Sequence, residues 1–272
     1  MPGYQHIRLE KDPESHIGKL TLDRPDKRNA LNDQTMDELG DALEDVEADD
    51  SVRVLIITGE GRGFCAGGDL EALPGGSDPG SWASDNVDDI RRSFKRVQRF
   101  MMCLQHMEKP VIAMVNGPAV GAGFDIACAC DLRVGSPLAR FMVAYVRIGL
   151  FPGFGGTWLY PRMLGSIGKA AEMLFTGDFL EAEEAYRLGF LNKLVPEDEL
   201  ESATMEMARK IANGPPIAIR LSKLMLYKGL DFDLDTAMKM AAAAETITLT
   251  SKDHLEGTAA IRESRRPKYE GH

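Results

Sequence analysis

The chain has 272 residues, 44% of them hydrophobic and 27% charged, and 42 acidic against 32 basic side chains give a formal net charge of −10. That balance fits a globular protein in water and argues against an extended nucleic-acid footprint, which needs clustered basic charge. No apolar run approaches the ~18 residues of a membrane span, the opening MPGYQHIRLE lacks the apolar core of a secretory signal, and four cysteines in so long a chain do not make a disulfide framework. A reduced, cytoplasmic setting is therefore expected.

In chain order, Ile17 to Leu22 reads as a strand stopped by Asp23-Arg24-Pro25-Asp26. A helix is expected from Asp33, with Met36, Leu39, Leu43 and Val46 on one face. Asn32 can cap it, and Leu31 with Met36 can form a hydrophobic staple. Val52 to Thr58 and Val111 to Val115 are short, nearly continuous apolar runs that suit strands covered on both faces, and Leu132 to Val134 is a third. Helical segments lie between them, so the fold class is α/β. A helix begins near Val87, and the Gly-, Pro- and Ser-rich stretch from Leu73 to Asn86 before it is the best candidate for a mobile loop. Ile167, Ala170, Ala171, Leu174 and Phe175 predict an amphipathic helix, another runs from Glu181 to a closing Gly189, and Phe190 to Val195 reads as a strand. From Leu200 onward only helical patterns remain. The expected division is a core over residues 1–198 and a helical region over 199–272.

Two glycine-rich clusters carry the chemistry. Gly59 to Asp69 follows one buried strand and Asn116 to Asp125 follows another, and the second leads into an apolar helical start. Small residues at strand ends leave backbone N–H groups open to a ligand, and two such turns can supply both donors of an oxyanion hole. Taken alone, either cluster serves equally as a tight turn. Asp125 stands in an otherwise apolar stretch, where a carboxylate is either used or favoured by the start of a helix. The third cluster, Ile148 to Thr157, lacks the preceding strand and the acidic partner of a dinucleotide fingerprint. There is no Gly-x-Ser-x-Gly elbow and no phosphate loop. Cys128 and Cys130 read as structural thiols, the histidines show no metal-ligand spacing, and His106 falls at a helix end. Met205, Met207, Met225, Met238 and Met240 read as core or subunit-interface packing.

Taken in order, Asp23 to Leu31, Phe64 to Leu70, Lys109 to Asp131, Gly149 to Gly165 and Leu174 to Asp178 resemble the crotonase (enoyl-CoA hydratase/isomerase) superfamily across nearly the whole chain. The resemblance implies a spiral of ββα units with a C-terminal helical trimerisation region, assembled as a homotrimer or a dimer of trimers. It implies a coenzyme A thioester substrate, no separate cofactor, and neither metal nor nucleic acid. The thioester carbonyl would meet the N–H groups of Gly68 and Ala122. Lys27, Arg28 and Ala30 would hold the adenine and phosphate end, with Ala66, Asp69 and Leu70 lining the pocket and Gly121 and Gly153 belonging to the same thioester site. Arg24, Lys27, Arg28 and Arg62 would give an anionic coenzyme the local basic cluster that the net charge denies it.

This sequence departs from the family at the acid/base pair. The family's hydratases carry one Glu where Asp125 stands and a second where Tyr145 stands, and the Asp that some isomerases and dehalogenases use is Gly153 here. The resemblance thus implies acyl-CoA chemistry with Asp125 as principal acid/base and Tyr145 as an auxiliary donor. The first expectation is hydration or dehydration of an unsaturated, possibly alicyclic, enoyl-CoA. Double-bond isomerisation, and decarboxylation or C–C cleavage of a β-oxoacyl-CoA, are the alternatives. A catalytically reduced acyl-CoA-binding homologue stands as the reading of another class.

Overall fold

The computed structural model describes residues 3–272. A six-stranded sheet runs through it in the order β1 (Ile7–Asp12), β2 (Ile17–Leu22), β3 (Val54–Gly59), β4 (Val111–Val115), β6 (Leu132–Gly135) and β9 (Lys193–Leu194). Only β1 and β2 pair antiparallel; the other neighbours are parallel. A second, three-stranded sheet joins β5 (Pro118–Val120), β7 (Arg140–Met142) and β8 (Phe179–Glu181). Among the described residues, no helix is long and apolar enough to cross a membrane.

The expected spiral of ββα units is present. β4, β5 and α3 (Ala122–Ala129) form one turn, and β6, β7 and α4 (Gly156–Met163) form the next. In each turn the first strand joins the large sheet and the second joins the small one. The turn before them follows the same plan, because Cys65, beyond β3, bridges to Ala119 of β5.

The apolar runs become strands because both sheet faces are covered. Leu55, Ile57, Val111, Ala113 and Val115 face one core with α1 (Asp33–Ala48) and α2 (Val87–His106), while Val54, Ile56, Ile112 and Met114 face the other. That second face is closed by Leu200, Ala208 and Ala212 of α7 (Leu200–Ala212). The first helix after residue 198 is therefore packed on the sheet. Beyond it, α8 (Pro216–Lys228) buries only Pro216, α9 (Leu234–Leu249) buries nothing, and α10 (Lys252–Arg262) buries Asp253 and Ala260.

Asn32 caps α1 by accepting from the Thr35 N–H, and Leu31 and Met36 are both buried, as the staple requires. Other expectations need correction. The Val52 strand starts at Val54, and the predicted strand over 190–195 shrinks to Lys193–Leu194. Phe190 and Leu191 are buried, but their N–H groups turn back to the Ala185 carbonyl after α6 (Ala182–Arg187) rather than joining a sheet. α5 (Ile167–Thr176) buries Ala170 and Met173 and leaves Ile167 and Phe175 exposed, so the predicted apolar face is only partly covered within the chain. The stretch from Leu73 to Asn86 contains one short 3₁₀ turn at Ser81–Ala83.

Candidate active site

The site is assembled where the two glycine clusters meet backbone to backbone. A Cβ on Gly67 would lie 2.6 Å from the Val120 carbonyl and 3.3 Å from the Ala122 nitrogen. A Cβ on Gly123 would lie 2.3 Å from the Cys65 carbonyl. Only glycine permits that approach, and Gly67 also holds a positive φ of +90°.

The approach leaves two N–H groups open. Leu31 pairs with the strand segment on either side of Gly68, donating to the Gly67 carbonyl and accepting from the Asp69 N–H. In such a parallel bridge the Gly68 N–H points away from Leu31, and it has no partner among the described residues. Ala122 is the first residue of α3, where the first turn's N–H groups have no intrahelical acceptor. Gly121 bonds to the Met142 carbonyl, whereas Ala122 donates to nothing among the described residues. The two open donors thus sit on loops in direct contact, one of them at the positive end of a helix.

The rim of the site is tied in the same way. Asn29, buried in a left-handed conformation, donates to the carbonyls of Glu60 and Gly63 at 3.0 and 2.9 Å and accepts from the Arg24 N–H at 3.0 Å. The Ala66 N–H donates to the Arg28 carbonyl at 2.9 Å. These bonds bring Lys27, Arg28, Ala30, Ala66, Asp69 and Leu70 together, with Lys27, Arg28 and Leu70 exposed and Ala30 and Asp69 buried. One expected member of the basic cluster is spoken for. Arg24 pairs with Asp69 at 2.9 Å and donates to the Ala30 carbonyl, so it braces the rim, and Lys27, Arg28 and Arg62 are left without an ion-pair partner among the described residues.

The floor is a buried three-residue cluster. Tyr145 Oη–H donates to Asp125 Oδ2 and Tyr160 Oη–H donates to Asp125 Oδ1, each at 2.5 Å. Asp125 and Tyr160 are fully buried, and Tyr145 retains 9% of its surface. Burial pushes the Asp125 carboxyl up to about 7, against the opposing pull of the two phenol hydrogen bonds. Burial and the neighbouring carboxylate push both phenols above their ordinary value. Burial also raises the nearby Cys65 thiol to about 12, which keeps it protonated and a poor nucleophile.

Sequence reasoning missed Tyr160, the third member of this floor. It lies 35 residues from Asp125 along the chain and stacks on Phe124 with centroids 5.0 Å apart and planes 15° from parallel. A signal for it existed. Tyr160 sits one helical turn after Gly156, and a Cβ at Gly156 would lie 2.3 Å from its ring, so the glycine makes room for an inward-facing tyrosine.

An aromatic wall faces the Gly68 loop. Trp82 lies 3.8 Å from where a Gly68 Cβ would stand and packs against Phe94 and Phe154 at centroid distances of 5.9 and 6.0 Å. Its indole N–H is buried with no acceptor among the described residues. Gly153 lies against the same wall, since a Cβ there would come within 2.8 Å of the Phe94 ring. A separate cavity of about 640 Å³ between α2, α4 and α8 is lined by Met101, His106, Phe154, Trp158 and Tyr227 among others, but by none of Gly68, Ala122, Asp125 or Tyr145.

Comparison with known proteins agrees with this fold. The crotonyl-CoA hydratase of Syntrophomonas wolfei is 37% identical over 269 residues, covering 98% of each chain. The 1,2-epoxyphenylacetyl-CoA isomerase of Escherichia coli is 34% identical, over 94% of this chain and 97% of that one. The crystal structure of an enoyl-CoA hydratase from Bacillus anthracis superimposes with a TM-score of 0.90 at 34% identity, covering 98% of this chain and all of that one. Residues 12–272 match the sequence profile of enoyl-CoA hydratase/isomerase, and the chain belongs to that family of enzymes.

Proposed function

We propose that this protein adds water to, or removes it from, the double bond of an unsaturated acyl-CoA thioester. The observation that carries the reading is the pair of open N–H groups, Gly68 and Ala122, on touching loops one helical turn from the buried Asp125. A thioester oxygen held by both donors gains negative charge as the enolate forms, and fixed donors in a water-poor site stabilise that charge strongly. A carboxyl poised near 7 can hold or release the transferred proton at neutral pH. Lys27 and Arg28 offer their exposed charges to the coenzyme phosphates, with Ala30, Ala66, Asp69, Leu70 and Gly121 shaping the channel and Gly153 bordering the thioester.

Relatives that bear a hydratase name and an isomerase name both support enoyl-CoA chemistry. Double-bond isomerisation is the second reading, favoured by the single carboxylate of the floor, since one shuttling proton suffices for it. The wall of Trp82, Phe94 and Phe154 favours a flat or cyclic acyl group over a long flexible chain. The exposed apolar side chains of α8–α10, among them Leu226, Leu234 and Met238, support assembly as a trimer or a dimer of trimers. Four free thiols fit a cytoplasmic setting.

A panel of enoyl-CoA, β-oxoacyl-CoA and alicyclic thioesters incubated in deuterated water and followed by mass spectrometry tests the reading. Gain of water from an enoyl-CoA is the expected result. Deuterium incorporation alone supports isomerisation, and loss of carbon dioxide or chain cleavage overturns both.

A further inference from the structure

We propose that Tyr145 is the group that meets the substrate, that Asp125 works behind it as the proton store, and that Tyr160 is the positioning residue that leaves the store a single exit. The inference rests on the acid/base chemistry proposed above and concerns how the floor delivers it.

The geometry behind it is the order of burial. Asp125 has no exposed surface, and each of its oxygens already accepts a phenol hydrogen at 2.5 Å. Substrate therefore cannot reach the carboxylate while this arrangement stands. Tyr160 is equally buried and locked by its stack on Phe124. Tyr145 alone keeps a little exposed surface, and its ring lies 3.9 Å from where a Cβ on Gly121 would stand, beside the open Ala122 N–H. The phenol thus touches the carboxylate on one side and lies against the Gly121 turn that leads into the Ala122 donor.

Tyr160 gives the arrangement a direction. Its hydroxyl occupies Oδ1 as a donor, so a proton arriving at Asp125 settles on Oδ2, the oxygen facing Tyr145. In hydration, a water oxygen bonds to the β-carbon and the double-bond electrons move to the thioester oxygen. The water proton passes to Tyr145 Oη as the Tyr145 proton passes to Asp125 Oδ2. The proton then returns from Oδ2 through Tyr145 to the α-carbon, a C–H bond forms, and the enolate electrons restore the thioester carbonyl. One water is added and the relay ends as it began. The same path, run from one carbon to another, moves a double bond. A phenol is a poor base on its own, but its oxygen need never carry full charge when its proton leaves as another arrives.

The test compares Tyr145→Phe, Asp125→Asn, Tyr160→Phe and the Tyr145→Phe/Asp125→Asn double variant, each checked for native circular dichroism. Readouts are turnover of the best thioester and exchange of the α-hydrogen of a saturated acyl-CoA in deuterated water. Tyr145→Phe is expected to lose at least ~100-fold in kcat with KM little changed, as much as Asp125→Asn. The double variant should be no worse than either single one, because the two act as a unit. Tyr160→Phe keeps the ring and its stack but removes a hydrogen bond that favours the charged carboxylate. It should move the acidic limb of the kcat–pH profile upward by at least ~0.5 pH unit, a shift that looser packing alone does not produce. Tyr145→Phe retaining activity within ~10-fold of wild type would put Asp125 in direct contact with substrate and overturn the relay, while the proposed function stands. An unmoved pH profile in Tyr160→Phe overturns its positioning role. Wild-type protein that neither exchanges the α-hydrogen nor turns over any thioester overturns the proposed function and takes the relay with it.

Discussion

The rim and the floor of the site are built on opposite principles. At the rim, bonds to the backbone fix the loops and the cations stand exposed: Asn29 ties Arg24 to Gly63, while Lys27 and Arg28 project into solvent. At the floor, side chains bond to side chains in a buried cluster, and every residue of α3 is buried. Exposed charge is screened by salt and contributes to binding alone. Buried charge is costly to form, shifts in pKa, and couples to both catalysis and stability. The same molecule should therefore answer to mutation in two separable ways.

The largest expected effect is at the floor. Asp125→Asn keeps the shape and one acceptor but removes the group that can store a proton, and kcat should fall ~10²–10⁴-fold. Turnover measured at saturating thioester checks it, and near-full activity would move the chemistry to the oxyanion donors alone. Between floor and rim lies Gly68, where backbone alone is at stake. Gly68→Pro removes the open N–H yet spares both Leu31 bonds, which run to Gly67 and Asp69. A loss of at least ~100-fold with the fold retained is expected. Gly68→Ala is the control, because its Cβ meets only Trp82, at an ordinary 3.8 Å. If the two variants are equally impaired in steady-state assays, the donor assignment fails.

The floor should also leave a mark on stability. The Asp125 carboxyl is raised from 3.8 to about 7, so between those pH values the folded state holds a proton that the unfolded chain has released. Stability from this group is then fully present below about pH 4 and is lost as pH rises toward and through about 7. At one pKa unit per 1.36 kcal/mol, the loss is on the order of 4 kcal/mol before relaxation. Asp125→Asn should flatten that slope, and denaturant titrations at pH 5 and pH 8 would reveal it. Equal slopes in both proteins would mean that the carboxylate is better solvated than its burial suggests.

How much of this was legible in the sequence follows from the range of the forces involved. β3 and β4 were readable because a strand covered on both faces needs an unbroken apolar run. β5, β7 and β8 span three residues each and exist only through partners distant in the chain, so no local period announces them. The face of α5 was read from its apolar spacing, yet Ile167 and Phe175 are bare. Periodicity marks a face that wants covering without saying whether this chain or another copy covers it. The two glycine clusters and Asp125 stand out in the sequence by composition and placement, while the particular donors Gly68 and Ala122 and the partner Tyr145 come through the family resemblance. Tyr160 comes through neither, since its tie to Asp125 is made by the packing of α4 on α3. Arg24 was counted as a free cation because sequence shows its charge and hides Asp69 beside it.

The smallest effect is expected at the rim, and salt is what separates it from the floor. Replacing Lys27 and Arg28 together with Ala removes two exposed cations whose side chains make no hydrogen bond or ion pair among the described residues. In the proposed role their charge would attract an anionic coenzyme equally in the ground state and the transition state, so KM should rise ~10-fold while kcat stays near wild type. Both positions are tied through the backbone, with the Arg28 carbonyl accepting from Ala66, and Ala preserves that bond. Arg28 holds a φ of 51°, however, and Ala tolerates that region no better than Arg, so the loop itself should neither gain nor lose. Raising the ionic strength from ~0.05 to ~0.5 M should shrink the gap between variant and wild type, because the screening length falls from ~14 to ~4 Å. Asp125→Asn measured over the same series should keep its deficit unchanged. A double-alanine variant whose kcat falls with KM intact would take Lys27 and Arg28 out of coenzyme binding and erase the distinction between rim and floor.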